Sequence, residues 1–220
     1  MIEHNKIKEE GISFERMRVK PQLNKVSTKR VMDVVISLMS IILLSPFFIL
    51  ISMLIMVFDG RPVLFKQTRS GVNHIPFTIY KFRTMRESGE VDYNWKGKVP
   101  DDFVFKGETN PNITPLGRIL RKTSLDEIPQ LFNVLKGDMS MVGPRPEVPR
   151  ITQYYDDHQL QRLFVKPGMT GYAQVNGRSD INHGQKIFYD LHYVYNQSLG
   201  LDFKILLKTF IIVLRSKGSY

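Results

Sequence analysis

One long stretch of the chain is apolar but for four serines and free of charge throughout. Val34–Phe58, VVISLMSIILLSPFFILISMLIMVF, holds 25 residues and no formal charge. A straight helix of that length covers roughly 37 Å, against ~30 Å of bilayer hydrocarbon, so a membrane helix is predicted. The run starts too far along the chain for a signal peptide, exceeds a ~7–15-residue signal core, and is followed by no small-residue cleavage site. Pro46 sits at its middle, after Ser45. Proline lacks the N–H that would bond the Ile42 carbonyl, and its ring clashes with that carbonyl. The Ser45 hydroxyl can reach back to the preceding turn and supply a partner. A bend at Ser45-Pro46 leaves halves of 12 and 13 residues, about 18–20 Å each, neither of which crosses. Lys25, Lys29 and Arg30 precede the run, and Arg61, Lys66 and Arg69 follow it. Positive charge marks the cytoplasmic side, so basic flanks at both ends favour a helix that enters, bends and returns over one that spans. The residues alone leave both forms open.

The rest alternates short elements with breaks. Residues 1–28 are polar and weakly patterned. Val63–Thr68 and Ile75–Phe82 are β-prone and flank Ser70-Gly71-Val72-Asn73, a hairpin pattern. Residues 87–112 form a long loop rich in Gly, Pro and charge. Thr114-Pro115 opens a short helix, with threonine as cap and proline at the first position. A second helix is expected from near Ser124 to about Lys136, closed by Gly137-Asp138. GPRP (143–146) reads as a rigid turn, followed by helices over 147–163, 184–197 and 202–216. On the last, Lys204, Lys208 and Arg215 fall within about 40° of each other. Phe203, Leu206, Leu207, Phe210, Ile211 and Leu214 cover the remainder. Such a basic amphipathic helix docks on its own core or lies in a membrane interface. The fold class is α+β, mostly helical.

Charge and composition narrow the partners. The 31 Lys and Arg against 21 Asp and Glu give a net charge of +10, which suits nucleic acid, an anionic membrane or a phosphate-rich substrate. With no cysteine, a disulfide framework, a thiolate metal site and a thiol nucleophile are excluded. The five histidines show no metal-binding spacing. Nucleic acid is disfavoured, since basic residues are scattered, Trp95 is the single tryptophan, and no RNP-like or zinc-finger motif occurs.

The densest chemistry lies in Gly117–Gln130, GRILRKTSLDEIPQ. Ser124-x-x-Glu127 fits a capping box, and Asp126 falls where a helix N-terminus favours an anion, so a purely structural role is open. The functional alternative starts from Arg118, Arg121 and Lys122, close in sequence to both carboxylates. Such a set can bind phosphate, with a divalent metal. A carboxylate can also attack phosphorus to form an acyl phosphate. Pro144 and Pro146 fix the backbone around Arg145, pre-orienting it for a phosphate. Lys81 and Arg83, two apart on a strand, offer two more cations on one face.

Together these motifs resemble the bacterial sugar transferases, the monotopic phosphoglycosyl transferases. The matching pieces are the basic-flanked apolar run with Ser45-Pro46, YKFRTM (80–85), LRKTSLDEIPQLFNVLKGDMSMVGPRP (120–146), KPGMTGYAQVNGR (166–178) and the terminal amphipathic helix. They extend from near Lys29 to the C-terminus, and their order and spacing are specific. The resemblance is to the small form without extra N-terminal spans. It implies transfer of a sugar 1-phosphate from a UDP-sugar to polyprenol phosphate at the inner leaflet of the bacterial cytoplasmic membrane. It also implies a re-entrant helix broken at Ser45-Pro46. The ending VLRSKGSY resembles members that transfer hexose 1-phosphates. Three regions follow: 1–28 a polar extension, 29–59 the re-entrant helix, and 60–220 a cytoplasmic catalytic domain lying on the membrane. The expected roles are Asp126 as nucleophile and Mg²⁺ ligand, Glu127 as base or positioner, and Arg118, Arg121, Arg145, Lys81 and Arg83 with Pro144 and Pro146 as the substrate-binding set. A second copy of the chain is a candidate partner. Direct single displacement, or a non-catalytic scaffold in which Asp126-Glu127 only caps a helix, are the alternatives.

Overall fold

The computed structural model describes residues 28–86, 95, 97–104, 110–177 and 181–214. The expected extension 1–28 lies outside these residues except for Thr28, as do parts of the 87–112 loop. The described chain is mostly helical, with two small sheets.

Helix α1 spans Thr28–Phe58 with Pro46 inside it. The carbonyl that Pro46 cannot satisfy takes the Ser45 hydroxyl, Oγ donating to Ile42 O at 2.8 Å, as the sequence suggests. Met39, Ile42, Leu43, Ile49, Met53, Val57 and Phe58 are exposed, Leu43 at 76%. Only 11% of the helix's most apolar window is buried against protein. Apolar surface this continuous calls for lipid rather than water.

Both ends of α1 are tied to the rest of the chain. Near its start Lys29 Nζ donates to Asp202 Oδ2 (2.6 Å) and to the Val142 carbonyl (3.0 Å). Arg30 donates to the carbonyls of Val134 and Leu135, and buried Asp33 accepts from Ser140 Oγ and Met141 N. Beyond its middle, Phe48 packs on the rings of Phe82 and Phe132. At the far end Ile51 and Ile55 are buried with Phe82 and Leu120.

The predicted hairpin forms from β1 (Leu64–Ser70) and β2 (Pro76–Phe82), antiparallel, with Lys81 opposite Phe65. Helix α2 (Pro115–Lys122) begins as expected: Thr114 Oγ1 accepts from Gly117 N, with Pro115 at the first position.

The expected 124–136 helix is corrected. Ser124 is left-handed (φ 58°) and makes no cap bond, residues 125–127 form a 3₁₀ turn, and α3 starts only at Gln130 and ends at Lys136. Two causes are visible. Pro129 has no N–H to give, and Glu127 is drawn to two cations described below rather than to the backbone of residue 124.

The expected 147–163 helix is broken into α4 (Pro149–Thr152), α5 (Asp157–Leu160) and a 3₁₀ turn to Phe164. Asp156 restarts the chain with a capping box to Gln159. Flanking these short helices is a pairing the pattern did not suggest, the parallel strands β3 (Ser140–Val142) and β4 (Gly168–Thr170). Then follow α6 (Tyr172–Asn176), α7 (His183–Tyr195) and α8 (Leu199–Leu214). Helix α8 uses both of its faces. Asp202 and Ile205 are buried, while Phe203, Leu207 and Phe210 are exposed beside exposed Lys204 and Lys208. The main core joins β2, α3, β3, α7 and α8 through Ile79, Leu131, Val134, Val142, Tyr193 and Ile205.

Candidate active site

The site forms where the 125–127 turn, β2 and the GPRP loop meet. Asn133, fully buried on α3, holds β2 in place: its Nδ2 donates to Thr78 O (2.7 Å) and its Oδ1 accepts from Tyr80 N (3.1 Å). The next residue, Lys81, thereby reaches the turn, and its Nζ donates to Glu127 Oε1 at 2.7 Å. Arg145 meets the same carboxylate with both nitrogens, NH2 to Oε1 at 2.5 Å and NH1 to Oε2 at 3.4 Å.

The loop carrying Arg145 is pinned on several sides. Gly143 N donates to Thr170 O and Gly168 N to Pro144 O, while Arg69 NH1 donates to Pro146 O and Arg162 NH2 to Arg145 O. Pro144 and Pro146 are buried.

The two carboxyl groups are pushed in opposite directions. Burial pushes the Asp126 carboxyl up to about 6, with Glu127 adding to the rise while Lys81, Arg145 and Arg121 oppose it. Asp126 is 8% exposed. Burial would also raise Glu127, but the charges and hydrogen bonds of Arg145 and Lys81 outweigh it and hold that carboxyl far below the usual range. Burial lowers Lys81, with Glu127 resisting, and the Glu127 charge raises Arg145. One carboxylate is thus locked ionised by two cations. The other makes no ion pair among the described residues and, with its carboxyl lifted to about 6, is still mostly ionised near pH 7, a desolvated carboxylate that suits a nucleophile more than a structural anion. Lys81, Arg145 and Arg121 outnumber the two carboxylates, which suits a diphosphate.

The structure brings together Asp126, Glu127, Lys81 and Arg145, with Pro144 and Pro146 beside them and Arg121 within electrostatic reach of Asp126. Arg118 lies exposed on α2. Gly117 lets that helix press on the chain just past β2, since a Cβ there would stand 2.2 Å from Thr84 O. Arg83 points elsewhere: its guanidinium donates to the carbonyls of Asp59, Gly60 and Arg61, closing the end of α1. Ser45 and Pro46 stay in the exposed middle of α1. Sequence reasoning missed Asn133, whose signal was a lone amide inside the apolar stretch LFNVL, and the buried Arg162–Asp190 pair, NH2 to Oδ2 2.6 Å. Among the described residues no group of three or more His, Asp or Glu side chains forms a metal cage.

The bacterial sugar transferase profile matches residues 24–216. The chain is 42% identical over 93% of its length to an undecaprenyl-phosphate galactose phosphotransferase of Salmonella typhimurium, covering 44% of that protein. It is 39% identical to the exopolysaccharide production protein ExoY of Sinorhizobium fredii, over 88% of each chain. To a UDP-glucose:undecaprenyl-phosphate glucose-1-phosphate transferase of Xanthomonas campestris it is 36% identical, over 89% of this chain and 40% of that one. The chain therefore spans under half of two of these relatives and most of the third. It belongs to the bacterial sugar transferase family.

Proposed function

We propose that this protein is a phosphoglycosyl transferase that moves a sugar 1-phosphate, of a hexose, from a UDP-sugar to polyprenol phosphate. The relatives named for undecaprenyl-phosphate galactose and glucose phosphate transfer support the donor and acceptor classes. The observation that carries the chemistry is the division of partners between the two carboxylates: Lys81 and Arg145 bind Glu127, while buried Asp126 beside it makes no ion pair among the described residues. An Asp126 oxygen attacks the phosphorus bearing the sugar, an O–P bond forms, the bond to the bridging oxygen breaks, and UMP leaves with that electron pair. An oxygen of polyprenol phosphate then attacks the same phosphorus, breaks the acyl phosphate bond and restores the carboxylate. Arg145, Lys81 and Arg121 stabilise charge on the phosphoryl oxygens. Glu127, so firmly ionised, is a poor base; its part is to hold Lys81 and Arg145 in place.

A magnesium ion fits this donor set only as an ion shared with the substrate, since Asp126 is the carboxylate not already committed to cations. Magnesium is commonly bound through one or two carboxylates plus phosphate and water. Bound there, it would neutralise diphosphate charge.

The membrane geometry has its own support. A straight 31-residue helix extends about 46 Å. Spanning would send its two ends to opposite sides, yet Lys29–Asp33 and Ile51–Asp59 both contact the same folded body. With basic residues at both flanks, this favours entry and exit on the cytoplasmic face, with the bend at Ser45-Pro46 and the outer face of α8 in the interface. A lipid-borne acceptor and a soluble donor can then meet at one carboxylate.

The test is exchange of labelled UMP into UDP-sugar without polyprenol phosphate. Wild type exchanges and Asp126→Asn does not. Exchange that persists in Asp126→Asn refutes the covalent route.

A further inference from the structure

The Arg145–Pro146 peptide has no N–H. Its carbonyl is the only polar handle by which the plane next to the Arg145 side chain can be set. That carbonyl accepts from Arg162 NH2 at 2.8 Å. Arg162 is in turn gripped by Asp190 on α7, Nε to Oδ2 at 3.0 Å and NH2 to Oδ2 at 2.6 Å. Both side chains are nearly sealed from solvent, at 1% and 2% exposed. Such a pair is expensive to bury, and replacing both partners with apolar groups of similar size is often neutral or stabilising. Stability alone therefore accounts poorly for it. Outside the pair, the Arg162 guanidinium faces the Tyr155 ring at 5.9 Å and donates a hydrogen bond to the carbonyl of Arg145, whose own guanidinium lies on Glu127 beside Asp126.

We propose that Arg162, held by Asp190, is a positioning residue for the sugar-phosphate transfer, orienting Arg145 through its backbone carbonyl. The inference rests on the role given to Arg145 above. Arg162 itself touches neither substrate nor Asp126. It sets the angle from which Arg145 reaches the Glu127 carboxylate and the phosphoryl oxygens. The neighbouring clamps, Gly168 N on Pro144 O and Arg69 on Pro146 O, fix the flanking carbonyls and leave the central one to Arg162.

The experiment is a double-mutant cycle on the full chain in detergent or nanodiscs, read as labelled UMP exchange with UDP-galactose and UDP-glucose, alongside thermal unfolding. The paired variant Arg162→Met/Asp190→Leu removes both charges and keeps bulk. It should unfold within about 5 °C of wild type, an apolar exchange being often neutral, yet lose at least about tenfold in exchange rate, as a displaced reacting-site group does. In an Arg145→Ala background the same pair of changes should cost less than about twofold, because residues acting as one unit are not additive. Arg162→Lys, which keeps the charge opposite Asp190 but not the planar fork, is the second probe. It should show the same loss and the same lack of additivity. A folded paired variant with wild-type exchange overturns the proposal. So does an equal fold-loss with and without Arg145, from either probe. If Arg145→Ala itself exchanges like wild type, the role of Arg145 fails first and the positioning proposal falls with it.

Discussion

Gly143→Ala is a small change with a large expected effect. A Cβ at position 143 would stand 2.3 Å from the Lys166 carbonyl oxygen, 2.9 Å from Gly168 N and 3.2 Å from Pro167 C. All three are backbone atoms, so no side chain can swing aside. Relief to ordinary contact requires β3 and β4 to separate by about 1 Å, and overpacking of that kind costs ~1–3 kcal/mol. The bonds Gly143 N to Thr170 O and Gly168 N to Pro144 O, both 2.9 Å, would pass beyond hydrogen-bond length. Two buried backbone pairs left open add about 1–1.5 kcal/mol each. The sum is about 4 kcal/mol, or about 8–16 °C in unfolding temperature for a chain of this size. Arg145 lies two residues on, and a 1 Å displacement near the chemistry can cost about 10²-fold. The assay pairs a thermal melt with UMP exchange measured well below the transition. Unfolding within ~2 °C of wild type together with full exchange would refute both the packing of the two strands and the dependence of Arg145 on it.

Two further predictions follow from the carboxylates. Glu127→Gln keeps the shape but leaves Lys81 and Arg145 without their counter-charge. The stability loss is ~2 kcal/mol, mostly from Lys81, because Arg145 is 43% exposed and solvent screens its share. Both cations then turn to Asp126 and quench it, so exchange falls at least ~100-fold; undiminished exchange would show that Glu127 does not organise the site. The Asp126 carboxyl, lifted by burial, is protonated below its midpoint and ionised above it. In metal-free protein labelled with ¹³C-aspartate its resonance should titrate near 6 and vanish in Asp126→Asn. A midpoint near 4 would mean the carboxylate is not desolvated.

Much of this arrangement is readable from local sequence. The apolar run, the hairpin, the Thr114-Pro115 helix start and the Ser45 hydroxyl on Ile42 each depend on residues a few positions apart, where propensity and capping act. The motif stretch around Asp126 and Arg145 is legible as chemistry for the same reason. What local pattern could not carry was long-range competition. Ser124-x-x-Glu127 reads as a capping box, but Lys81, 46 positions away, and Arg145, 18 away, bind Glu127 more strongly than a backbone N–H could. Strands β3 and β4 have three residues each and pair in parallel across 28 positions, with no alternation long enough to register. Nothing local in the sequence marks Arg162 and Asp190 as buried, and only their mutual neutralisation makes burial tolerable. Arg83 looked equivalent to Lys81 by strand alternation, but β2 ends at Phe82, and past that point its side chain follows the carbonyls that close α1.

The covalent route requires a bond between Asp126 and phosphorus, and that bond can be trapped. Protein incubated with UDP-galactose or UDP-glucose, without polyprenol phosphate, is quenched in acid and digested. The peptide containing Asp126 is then weighed by mass spectrometry. A hexose phosphate is expected on Asp126, absent from Asp126→Asn and discharged when polyprenol phosphate is added before the quench. Enzyme that turns over the same donor at full rate, with its Asp126 peptide unmodified at every time sampled, would contradict the covalent route.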